Sequence, residues 1–186
     1  MESLYVGVSA WIIQDGNYAD FRAGQKTEFA LEFYPASLKV SDLRLKSAEH
    51  IKASQYKICG QVIFQSKTVW VLDAGFLAYQ ESKPPRYATK GAWVEGEVYV
   101  EIDPFMYFEG LNKRPGMPSL TYAFRVDQLL LETTPWITTA DENGRTLTKR
   151  DEQKESYIEV AETNAWSDDN GHAHYILKCV RISGPV

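Results

Sequence analysis

Histidine and cysteine are scarce in this chain, at three and two among 186 residues. Chemistry that needs a thiol nucleophile or a set of soft metal ligands therefore has few places to sit: Cys59, Cys179, His50, His172 and His174. The cysteines stand far apart, without C-x-x-C spacing, and Cys59 lies within "KICGQV", where a small buried apolar residue is expected. Reduced, buried thiols in a cytoplasmic protein follow, rather than a disulfide. The G-x-S-x-G elbow, the G-x-x-x-x-G-K-[ST] phosphate loop, the dinucleotide glycine fingerprint and H-E-x-x-H are all missing, so no cofactor is implied. Long apolar runs are lacking too. "VWVL" and "LLL" are strand-sized, far below the roughly 18 residues that cross a bilayer, so no membrane span is expected. The opening "MESLYVGVSAW" carries Glu2 and no Lys or Arg, unlike a secretory signal.

Positive charge is also in deficit: 20 Lys and Arg against 25 Asp and Glu leave a net charge of -5. A protein that neutralises phosphates needs the opposite balance, so nucleic acid is not the expected partner. The modest basic excess of Lys39, Arg44, Lys46, Lys52 and Lys57 reads as a solvated loop.

What the chain does have is 44% hydrophobic and 13% aromatic residues, enough for one compact β-rich domain over residues 1–186. Alternation with a period of two recurs along it, while no segment shows a long helical stripe. "LYVGVSAWII" places Leu4, Val6, Val8, Ala10 and Ile12 on one face, and after the Asp15-Gly16 turn "KTEFALEFY" alternates again, which predicts an antiparallel pair. In residues 35–55, "LKV" suits a short strand and "SDLRLKSAEHI" a helix start with Ser41 or Asp42 as N-cap. "YKICGQVIFQ" and "KTVWVLDAGFLAYQ" read as a hairpin with a bend at Gly60. "ESKPPRYATKG" is a loop, "AWVEGEVYVEI" a strand ending at Asp103-Pro104, and "LTYAFRVDQLLLETT" another. "ADENGRTLTKRDEQKES" is a charged loop with an Asn143-Gly144 turn, and "YIEVAETNAW" and "HAHYILKCVRIS" close the chain, about eight or nine strands in all.

Within this pattern the stretch from Tyr56 to Asp103 resembles the oligonucleotide/oligosaccharide-binding (OB) type of barrel. It has a first strand with an internal glycine, a hairpin including "VWVLDAG", then a connector and "KGAWVEGEVYVEID". The resemblance implies an elaborated antiparallel barrel whose ligand lies across strands two and three, with Trp70 and Tyr79 as stacking planes. A two-sheet sandwich is the alternative, and Trp70, set in a run apolar on both faces, also suits a core.

Three groups of residues could carry function. In "WVEGEVYVEID", Glu95, Glu97, Tyr99, Glu101 and Asp103 share one strand face, opposite Val94, Val98, Val100 and Ile102. Carboxylates roughly 7 Å apart cannot bind one metal together, but such a strip can attract a basic partner, or serve as acid and base in a cleft. The cluster Phe105, Met106, Tyr107 and Phe108 in the proline-rich segment 103–119 either lines a groove or plugs a barrel end. Asp168, Asp169, His172 and His174 look like metal ligands, yet "DDNG" also has hairpin-turn chemistry, and a strand from His172 would point both histidines outward together. The expected function is a cytoplasmic binding or interaction protein without catalytic activity. Its site would be the acidic strand (Glu95, Glu97, Tyr99, Glu101), Trp70 and the aromatic loop (Phe105, Tyr107), and its partner a protein, a small ligand or a second copy of the chain. An immunity-type inhibitor of a basic toxin enzyme and a metal-dependent hydrolase built on Asp168, His172 and His174 are the alternatives.

Overall fold

The computed structural model of the protein describes residues 3–140 and 146–184. Among them the backbone forms thirteen strands, with two short α-helices at Ala10–Gln14 (α1) and Met106–Glu109 (α2). No helix among the described residues is long and apolar enough to cross a membrane.

Five strands close a barrel: β3 (Leu31–Val40), β5 (Gln55–Gln65), β6 (Trp70–Asp73), β7 (Leu77–Gln80) and β8 (Trp93–Ile102). Neighbours pair antiparallel around the ring except β7 and β3, which meet through the parallel pair Glu32 and Tyr79. The β8–β5 ladder shuts the ring, so the architecture is a barrel and not the alternative sandwich. Four of these strands belong to the OB-like stretch; the fifth, which that stretch does not contain, comes from upstream as β3. Gly60 sits where β5 passes the Asp73 carbonyl; a Cβ there would lie 3.0 Å from it.

Strand alternation explains which residues fill the barrel. Trp70, Leu72 and Phe33 belong to the main core, with Trp70 and Phe33 edge to face at 4.9 Å. Val71 and Tyr79 belong instead to a second cluster with Phe64, Tyr107, Leu111 and Leu120. The 103–120 segment therefore covers the barrel's outer wall over β6 and β7, where the sequence reading allowed it to plug an end. Each large side chain so covered contributes about 2 kcal/mol.

The outer strands continue from β8. β1 (Ser3–Ser9) touches it through one parallel pair, Gly7 with Glu101, then pairs antiparallel with β13 (His174–Ser183). β9 (Tyr122–Glu132) pairs with β13, with β2 (Lys26–Phe29) and with β12 (Tyr157–Val160). β10 (Trp136–Ala140) and β11 (Thr146–Arg150) form a separate hairpin.

Several local expectations change. β1 stops at Ser9, and α1 takes Ala10 and Ile12, so the apolar alternation there spans two element types. "KTEFALEFY" is two strands, β2 and β3, broken at Ala30, and neither pairs with β1. Residues 41–51 form no helix: Ser47–Lys52 is a strand, β4, on the edge of β5. Ser41 Oγ does accept the Leu43 N–H at 3.1 Å, as a cap would, but it donates to Glu95 and the turn stops there. "DDNG" is a 3-10 turn with Asp169 and Asn170 left-handed, not a hairpin reversal, because β9 separates β12 from β13. The Asn143-Gly144 turn lies outside the described residues. Cys59 and Cys179 are free and buried.

Candidate functional site

The face expected for the acidic strand is correct over most of its length. Val94, Val98, Val100 and Ile102 are buried, while Glu95, Glu97, Tyr99 and Glu101 point away from the barrel core. Asp103 departs from the pattern: β8 ends at Ile102, and Asp103 turns inward to full burial.

The outward acids do not form a free strip, because cross-strand neighbours take each one up. Glu95 accepts from Ser41 Oγ at 2.6 Å and pairs with Lys39 at 3.2 Å, and the Ser41 bond followed by Lys39 lowers its pKa. Glu97 accepts from Gln55 at 2.9 Å. Glu101 differs in that it faces a cleft of about 250 Å³ between the barrel and the outer strands.

Glu101 reaches that cleft through two backbone devices. The β4–β5 turn is tight, with Ala53 left-handed at φ 44, a conformation that costs a non-glycine residue about 1 kcal/mol. This turn sets Ser54 against β8, where its carbonyl accepts the Val100 N–H at 2.9 Å and its Oγ donates to Glu101 Oε1 at 2.8 Å. On the other side Gly7 leaves the carboxylate its room, since a Cβ there would fall 2.2 Å from both oxygens.

Opposite Glu101 stand residues from the outer strands. His174, at the start of β13, lies with Nε2 3.3 Å from Glu101 Oε2 and Nδ1 3.7 Å from Glu132 Oε2. Arg150, at the end of β11, stands 3.9 Å from Glu132 and 2.5 Å from Asp169, and its Nη1 donates to the Thr134 carbonyl at 2.6 Å. Its guanidinium lies 4.0 Å from the centre of the Trp136 ring, whose Nε1 also donates to Asp169. Lys52 pairs with Glu155, while Tyr99 and Tyr157 line the cleft beside them. Burial acts most strongly on His174 and disfavours its charge. The Glu101 hydrogen bond and the charges of Glu101 and Glu132 together outweigh it, against Arg150, and leave the imidazole's pKa above the ordinary value.

The other candidates lie elsewhere. Trp70 is 1% exposed, with Nε1 donating to Gln80, and Tyr79 is fully buried, so neither presents a free plane for stacking. Tyr107 is buried, its hydroxyl donating to the Pro118 carbonyl and accepting the Leu120 N–H. Phe105 packs edge-on against Tyr18 at 5.9 Å. Asp168, His172 and His174 do not converge. The Asp168 carboxylate accepts from the Tyr175 hydroxyl and the Asn164 N–H, His172 ends the 3-10 turn, and His174 points to Glu101. Among the described residues no group of three or more His, Cys, Asp or Glu could hold a metal ion.

Glu132, Arg150 and Trp136 were not singled out from the sequence, and Asp169 was named there only as a candidate metal ligand or turn residue. Trp136 and Arg150 sit in stretches read as loop or left unassigned, and only the β10–β11 hairpin brings them to Asp169. Comparison of the chain with known protein families, curated proteins and solved structures returns no match.

Proposed function

We propose that the chain is a binding protein that receives a basic side chain of a protein partner in the cleft between Tyr99 and Tyr157. The observation that carries this reading is the convergence of Glu101 and Glu132, from two different parts of the sheet, on one recess. There Glu101, Glu132, Glu152 and Glu155 outnumber Lys52, Arg150 and His174. A partner's arginine or lysine gains a carboxylate pair at the floor and tyrosine faces at the walls. The net charge of -5 would add attraction at longer range, which suits a basic partner such as a toxin enzyme held by an immunity-type inhibitor.

Hydrolysis is supported less well, because both ring nitrogens of His174 face carboxylates and neither is turned to a substrate. The test is amide NMR of the full chain titrated with an arginine-rich peptide and with its neutral citrulline counterpart. Shifts centred on Tyr99, Glu101, Glu132 and His174 with the arginine peptide alone, weakened in Glu132→Gln, are expected. Equal shifts with both peptides, or shifts elsewhere, contradict the reading.

A further inference from the structure

At the far end of the β1–β13 pair a second recess has the opposite character. His174 opens β13 opposite Ser9, whereas Arg181 lies near its end, beyond the Ser3–Val180 pair, roughly 24 Å along the strand. Beside Arg181 a cavity of about 540 Å³ opens between β4, β9 and the β6–β7 turn, within the range of small-molecule sites. Two aromatic pairs line it. Tyr56 and Phe76 come from the barrel, edge to face at 6.0 Å, and Tyr122 and Phe124 come from β9, 5.7 Å apart.

The polar groups of this cavity favour an anion. Lys46 reaches its rim and is held at 2.6 Å by Asp73. Among the described residues Arg181 meets no carboxylate; its Nη1 touches the Gly75 carbonyl at 3.4 Å, and its guanidinium lies 5.7 Å from the Tyr122 ring centre. Tyr122 is 1% exposed, and its oxygen accepts the Leu77 N–H at 2.7 Å. Its own proton finds no acceptor among the described residues, although buried hydroxyls ordinarily donate as well as accept.

We infer that this cavity binds a small aromatic anion, a flat ring carrying a carboxylate, sulfonate or phosphate. The ring lies among Tyr56, Phe76, Tyr122 and Phe124, and the anionic group takes the Tyr122 proton and the Arg181 guanidinium. An anion there gives the Tyr122 proton an acceptor and neutralises a cation that meets no carboxylate among the described residues. Apolar contact with this lining, of which Phe76 is the part-exposed ring, supplies affinity without demanding one particular ring, and Arg181 selects the charge.

Anilinonaphthalene sulfonate, a fluorescent aromatic anion, and the uncharged N-phenylnaphthylamine test this on the full chain, with near-UV circular dichroism confirming that the fold stays intact. Saturable one-to-one binding of the sulfonate is expected. Arg181→Gln should weaken it about tenfold, the effect of losing one charged hydrogen bond, and leave the uncharged probe unchanged. Ala48→Trp, which adds bulk to the cavity wall, should remove both probes. Absence of saturable binding overturns the inference, as does sulfonate affinity unaltered by Arg181→Gln. If Ala48→Trp disturbs the fold, the Arg181→Gln comparison decides alone.

Discussion

Two sets of carboxylates in this protein have opposite surroundings. Glu101 and Glu132 line a cleft in which His174, Arg150 and Ser54 face them. Glu32 and Asp103 are buried in the barrel wall and are met by tyrosine hydroxyls and backbone N–H groups. Tyr34 donates to Glu32 at 2.7 Å, Tyr79 to Asp103 at 2.5 Å, and the Tyr107 N–H to Asp103 at 3.1 Å. Burial dominates there, with the Asp103 charge adding to the rise at Glu32 and the Glu81 charge to that at Asp103, so Glu32 is pushed up to about 7 and Asp103 to about 6, hydrogen bonds notwithstanding. Carboxylates are thus held beside cations in one region and pushed toward the protonated form in the other. Position relative to cations, rather than strand face, decides which.

The largest test of this contrast is pH. For Glu32 and Asp103 the folded pKa lies above the unfolded one, so their contribution is fully present below about pH 4 and is lost as pH rises through about 6 and about 7. At ~1.4 kcal/mol per pKa unit, the loss for the two groups together is on the order of 6 kcal/mol. Urea unfolding at a series of pH values should show it, and Glu32→Gln should flatten the slope near neutrality. A stability that rises across that window breaks the comparison.

Asp103→Ala should come next, at about 3 kcal/mol of lost stability, because it strands the Tyr79 hydroxyl and the Tyr107 N–H in the wall. Asp103→Asn keeps an acceptor and should cost less. Gly7→Ala probes the cleft by pressing a Cβ onto Glu101, and should cost about 2 kcal/mol. The cost should shrink when Glu101→Ala is added, as a double-mutant cycle would record.

The smallest effect runs the other way. The Tyr18 hydroxyl is buried near Asp103 without a hydrogen-bond partner among the described residues. Tyr18→Phe should therefore gain up to about 1 kcal/mol in thermal unfolding. A loss of similar size would mean that the hydroxyl is satisfied.

The strand-rich fold was legible because alternation survives in sequence, as Val94, Val98 and Val100 against Glu95, Glu97 and Glu101 show. It failed where an element is decided by a distant partner. "SDLRLKSAEHI" carries a genuine N-cap signal, yet pairing with β5 draws its second half into an edge strand. Of the cleft, Tyr99, Glu101 and His174 could be read from their strands. Glu132 and Arg150 could not, since Arg150 is placed by its ion pair with Asp169, 19 residues away, and although "DDNG" announced a turn, nothing in it announced that partner. Asp103 misled for the reverse reason: it continues the alternation by one residue after the strand has ended.

The central claim is that the cleft takes a cationic side chain, and His174 offers the most direct handle on it. Glu101 on β8, Glu132 on β9 and Arg150 on β11 face this imidazole, whose raised pKa keeps its positive charge to higher pH than an ordinary histidine's. Affinity for the arginine-rich peptide should therefore increase as pH rises through the His174 titration, followed by NMR on the same sample. His174→Asn should bind without that dependence. Affinity that falls or stays flat as His174 loses its proton would contradict the account.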